Sequence, residues 1–218
     1  MVPTNLKRRV IVLVLGTTAG SLAITPRSSA QVRFEFTPFG GLYLPTSKVI
    51  DQFSTACNCQ VSGKQKTNFS LGGRIAAWVS DRLAVEGSFG YSGSGVSITA
   101  AGFGSADTSA NILTGSARLL IGLGPRALNT LFYLSGGLGL VAHGGAAYTG
   151  ASGTTRVGAI AGVGARLKVA PSLAVRAELE DYLYSAQFSA SSGGGQTNSK
   201  FQNDLVLSLG LAIPLGGR

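Results

Sequence analysis

From residue 32 onward, apolar side chains recur at every second position in eight stretches, approximately 32–45, 67–79, 82–94, 109–122, 130–142, 154–169, 173–186 and 201–215. A period of two is the signature of β-strands, and clusters of Gly, Ser, Asn, Asp and Pro between the stretches mark turns. The last stretch, NDLVLSLGLAIPLGGR, places Leu or Ile at every second position from Leu205 to Leu215, with Val206, Ser208, Gly210, Ala212 and Pro214 between them. A half-buried strand of a water-soluble sheet carries polar residues on its outer face. This one has no charge on either face between Asp204 and Leu215.

The connections alternate in kind. Those after the second, fourth and sixth stretches are short, namely SDR at 80–82, the segment around 122–129, and APS at 170–172. Those after the first, third, fifth and seventh are longer and polar or glycine-rich, such as SASSGGGQTNSK at 189–200. Each stretch is long enough for the ~9–11 residues of a tilted transmembrane strand. Even strand number with short periplasmic turns and long extracellular loops is the layout of an outer-membrane barrel. The pattern therefore predicts an all-β, eight-stranded antiparallel up-and-down transmembrane β-barrel. Both termini face the periplasm, and the loops at 46–66, 95–108, 143–153 and 187–200 lie outside the cell.

One stripe of each strand is apolar and the other mixes Arg, Glu, Gly, Ser and Tyr. In the seventh stretch, Leu173, Val175, Ala177, Leu179 and Leu183 oppose Arg176, Glu178, Glu180, Tyr182 and Tyr184. A soluble lipocalin-like barrel would bury the apolar stripe and wet the other. Composition decides between them: only 12% of residues are charged, about half of the ~25% usual in soluble domains, too few to coat an outer wall. The apolar stripe therefore faces lipid. An eight-stranded barrel has a lumen just wide enough to be filled by side chains, and buried charges must be paired. The inward charges Arg33, Glu35, Arg74, Glu86, Arg118, Arg166, Arg176, Glu178 and Glu180 are expected to form a salt-bridged plug, with room left by Gly137, Gly139, Gly158, Gly162 and Gly164.

The amino terminus changes the picture of charge and compartment. Lys7, Arg8 and Arg9 precede the apolar run Val10–Leu15, and Ser28 and Ala30 supply small residues before Gln31, the pattern of a secretory signal peptide over residues 1–30. The barrel domain then occupies 31–218. Cleavage reduces the formal net charge from +9 to +5, with 14 basic and 9 acidic residues remaining. No Lys/Arg run with interleaved aromatics is present, so no nucleic acid is expected as a partner. Cys57 and Cys59 form a CNC motif in the first outer loop. Two thiols with no His or further Cys nearby do not complete a zinc site, and an exported compartment favours a disulfide between them.

With its signal peptide, the opening strand VRFEFTPFGGLYL, the seventh strand LAVRAELEDYLY and the carboxyl-terminal strand, the chain resembles the small OmpA-like and OmpX-like bacterial outer-membrane β-barrels over residues 31–218. The last strand is similar to that family's assembly signal, with Ser208, Gly210, Ile213 and Leu215 at its positions. It departs from the family in ending on aliphatic residues followed by Gly216, Gly217 and Arg218. The resemblance implies residence in the outer membrane. The expected partners are outer-membrane lipid and lipopolysaccharide, the barrel-assembly machinery, and an extracellular loop partner of unknown identity. Some such barrels are lipid A-modifying enzymes with a rim His beside Ser or Asp. Here the one His, His143, has no Ser or acidic residue within several positions, so it reads as a rim residue; no catalytic site, metal or cofactor is expected. The function expected is a structural and surface-interaction barrel, the alternative being a narrow pore or a conduit for small hydrophobic solutes.

Overall fold

The structure is a computed structural model, and it describes residues 32–54, 58–186, 189–190 and 200–215. The signal peptide expected at 1–30 lies outside them. The described strands are β1 (Arg33–Pro45), β2 (Lys48–Ser54), β3 (Cys59–Gln65), β4 (Asn68–Trp78), β5 (Leu83–Ala100), β6 (Gly104–Gly122), β7 (Thr130–Gly144), β8 (Ala151–Ser152), β9 (Thr155–Ala170), β10 (Leu173–Ala186), β11 (Ser189–Ala190) and β12 (Lys200–Leu215).

Eight of these close a ring of antiparallel pairs in the order β1, β12, β10, β9, β7, β6, β5, β4 and back to β1. Closure leaves no unpaired backbone edge in the ring, the condition a sheet must meet to lie in hydrocarbon. The seam between β1 and β12 pairs Phe36 with Ile213 and then Phe39 with Gly210, skipping Thr37 and Pro38. Pro38 has no N–H to donate there.

Alternation sorts the side chains as the period of two requires. On β12, Leu207, Leu209, Leu211, Ile213 and Leu215 are exposed on the outer face, while Val206, Ser208 and Ala212 are buried. The outward belt includes Phe34, Phe36, Leu71, Ile75, Val85, Phe89, Leu119, Phe132, Leu138, Val163 and Leu179. Near its outer limit, Asn203 Nδ2 donates to both oxygens of Asp181, at 2.9 and 3.0 Å. A wall this apolar is stable only against lipid.

The outer end departs from the sequence expectation. The segment 46–66, expected as a loop, contains the hairpin β2–β3, and 95–108 is mostly the continuation of β5 and β6, paired as far as Ala100 and Gly104. β3 pairs with β5 from Val61–Ala100 to Gln65–Val96, so the wall extends beyond the ring as the four strands β2, β3, β5 and β6. Polar and glycine residues there remove the apolar stripe that marks a strand in sequence, while ladder pairing needs only backbone. A two-residue pairing joins β8 to β11. The short turns are at the opposite end, where Ser80 Oγ accepts from the N–H groups of Arg82 and Leu83.

Candidate functional site: the filled lumen

Six charged side chains meet at the middle of the lumen: Arg74 from β4, Glu86 from β5, Arg118 from β6, and Arg176, Glu178 and Glu180 from β10. Each is at most 2% exposed. The strands β5 and β10 lie four places apart in the eight-membered ring, so the contact of Arg176 with Glu86 spans its full width.

The geometry is a lattice. Arg118 reaches Glu86 at 2.6 Å, Glu178 at 2.9 Å and Glu180 at 2.5 Å. Arg74 reaches Glu178 at 3.3 Å and Glu180 at 2.9 Å, and also donates to Ser208 Oγ at 2.9 Å. Arg176 pairs with Glu86 and, at 3.0 Å, with Glu178, while its Nε donates to Tyr133 OH at 2.6 Å. Three arginines face three glutamates, so the lattice is neutral. That balance matters because an unpaired ion in a confined interior costs several kcal/mol.

Backbone choices make the lattice fit. Gly164 lies opposite Tyr133 on the neighbouring strand, and a Cβ there would run into the Tyr133 ring. At Gly162 a Cβ would crowd Ser135 Oγ. The glycines of β9 therefore clear the volume into which Tyr133 and Arg118 extend. The Arg74 guanidinium also stacks over the Phe39 ring at 3.9 Å, a favourable cation–π arrangement.

Two predicted residues join a separate cluster at the short-turn end. Arg166 pairs with Glu35 at 3.0 Å, and Arg126, from the turn after β6, reaches the same carboxylate oxygen at 2.8 Å. Arg126 was missed from sequence because it sits in a turn, where strand parity carries no information. Arg33 is corrected: it has inward parity but lies beyond the short-turn end of the lumen, 61% exposed at its side chain, and faces Asp81 at 3.7 Å. Parity fixes direction; depth along the barrel decides burial.

The outer half of the lumen holds a third group that sequence reasoning did not assemble. Tyr43 OH and Tyr184 OH both donate to Asp204 Oδ2 at 2.6 Å. His143 stands 3.3 Å from Tyr184 OH and 3.2 Å from the Thr154 carbonyl, and Tyr148 OH donates to Gln65 at 3.2 Å. Around them pack Val96, Ile112, Val141, Ile160, Tyr182 and Val206. Only the register, which sets these strands at one height, could have grouped them.

Of the assembly-signal residues, Ser208 faces the lattice and Ile213 and Leu215 face outward. At Gly210 a Cβ would come within 2.7 Å of the Pro38 carbonyl oxygen across the seam. Cys59 is buried and disulfide-bonded at the start of β3; Cys57 lies outside the described residues. Among the described residues no group of three or more His, Cys, Asp or Glu side chains could hold a metal ion.

The sequence model of the family described as outer membrane protein beta-barrel domain matches residues 12–214. Among solved structures, the chain is similar to outer membrane protein OprG from Pseudomonas aeruginosa at 12% identity and TM-score 0.60, covering 87% of this chain and 99% of that one. It is also similar to outer membrane protein AlkL, at 16% identity and TM-score 0.62, with 88% and 94% covered. Neisserial surface protein A aligns at 14% identity and TM-score 0.54, with 83% and 96% covered. At these identities the likeness is one of fold. No curated protein matches the sequence.

Proposed function

The chain belongs to the outer membrane protein β-barrel domain family, and from that premise we propose that it is a closed barrel acting through its wall and its outer strands and loops. It resides in the outer membrane. The observation that carries the reading is the neutral lattice of Arg74, Arg118, Arg176, Glu86, Glu178 and Glu180, which fills the middle of the lumen. The role that fits a filled lumen is structural and surface-interacting. Lipid and lipopolysaccharide meet the wall, the extension of β2, β3, β5 and β6 meets an extracellular partner, and Ser208, Gly210, Ile213 and Leu215 present the assembly signal to the barrel-assembly machinery. The mature chain begins near Gln31, after removal of residues 1–30, and Cys57 bridges to Cys59. His143, seated among Tyr148, Tyr184 and the Thr154 carbonyl, has a packing role.

A second reading, a narrow pore or a conduit for small hydrophobic solutes, rests on the apolar character of the outer half of the lumen, where the packed side chains Val96, Ile112, Val141 and Ile160 would part to admit a solute. Passage beyond that level requires the lattice to part. Single-channel recording of the refolded protein tests the two: the closed barrel gives only brief, small openings. A steady, large conductance unchanged by Glu178→Ala or Arg176→Ala would overturn it in favour of a pore.

A further inference from the structure

The short-turn end of the lumen carries charge and hydrogen-bonding capacity that the protein itself does not use. Arg126 and Arg166 share one oxygen of Glu35, so this cluster has one positive charge in excess, whereas the central lattice is neutral. Buried charge calls for a counter-charge. Three buried polar atoms here have no partner among the described residues: Trp78 Nε1, Arg126 Nε and Glu35 Oε1. Trp78 is 3% exposed, and Glu35 is fully buried. Such orphaned groups are rare in native proteins and need a reason.

Their placement supplies one. The Arg126 guanidinium stands over the Trp78 ring at 5.3 Å, which brings the unused indole N–H and the unused Nε–H of the arginine to one corner of the mouth. The turn holds Arg126 there through its backbone, Arg126 N–H donating to the Asp81 carbonyl at 2.8 Å. On the β1 side, Glu35 Oε1 provides an acceptor for a partial hydration shell. We propose that this corner is a seat for a small monovalent inorganic anion of the halide class, held by Trp78 Nε1–H, Arg126 Nε–H and the excess positive charge. A single excess charge suits a monovalent ion, and the glutamate disfavours a more highly charged one.

Trp78 is the only tryptophan of the 218 residues, so the fluorescence of the folded protein in detergent reports on this corner alone. Iodide is titrated at constant ionic strength against fluoride. A seat gives saturable quenching with an unchanged excited-state lifetime, reversed by chloride. Arg126→Gln weakens the saturable component at least tenfold, whereas Arg33→Gln, at the same end but outside the cluster, leaves it intact. Heat-modified gel mobility confirms that both variants remain folded barrels. Quenching that is linear in iodide and shortens the lifetime, as for neutral acrylamide, would overturn the seat. So would no quenching at all, or saturable quenching unchanged in Arg126→Gln.

Discussion

Leu209 and Ser208 are adjacent on β12, and the pleat sends one into lipid and the other into the lattice. Leu209→Arg is expected to cost roughly 2–4 kcal/mol, the penalty of a lipid-facing Arg near the midplane, and urea titration in lipid vesicles measures it. From parity alone, Arg at Ser208 is expected to be tolerated better than Arg at Leu209, since the position faces polar groups. The packing overturns that expectation: Ser208 is 1% exposed and already accepts from Arg74, so Ser208→Arg adds a fourth cation to a filled, neutral cluster. Both variants should therefore lose stability, for opposite reasons, and Ser208→Ala should be much milder. Glu178 contacts three arginines. Glu178→Ala should destabilise by about 3–5 kcal/mol, the range for breaking a buried pair, checked by the temperature at which the heat-modified gel band appears.

At the scale of elements, the hairpin β5–β6 outgrows the ring and is tied to the segment before β4 by Lys66, whose ammonium lies 2.6 Å from Asp107. Hydrogen bonds from Lys66 and Ser97 hold the Asp107 carboxyl below the usual carboxylate range. A carboxyl with a depressed value in the folded state contributes above its unfolded pKa of about 3.9 and loses that contribution as pH falls through the folded value. The tie is thus intact at neutral pH and released only in acid. Pepsin cleavage of the outer hairpin should accelerate as pH drops below about 4, and Asp107→Asn should remove that dependence; an unchanged profile would count against the tie.

Over the whole molecule, the lattice is neutral at mid-lumen, and Asp204 is held by two tyrosines in the outer half. The excess positive charge of the Glu35 cluster lies at the short-turn mouth. If the lattice is the barrier to ions, Arg118→Ala, which removes contacts to Glu86, Glu178 and Glu180 together, should raise conductance more than Arg166→Ala. Planar-bilayer recording of both variants compares them directly. Equal effects would place the barrier elsewhere along the lumen.

Periodicity by itself determined the eight strands and their parity, because a pleated strand has no freedom over which side chains share a face. Scarcity of charge assigned the apolar stripe to lipid. The tertiary structure alone decided depth and partnership. Arg33 and Arg74 share inward parity, yet one lies open beside Asp81 and the other is buried in the lattice. Arg126 reaches Glu35 across 91 residues from a turn with no periodicity at all. Tyr43, Tyr184 and Asp204 come to one height only through the register of β1, β10 and β12. Parity is a local property of backbone geometry, whereas height in the barrel depends on strand stagger, which is fixed only when the ring closes.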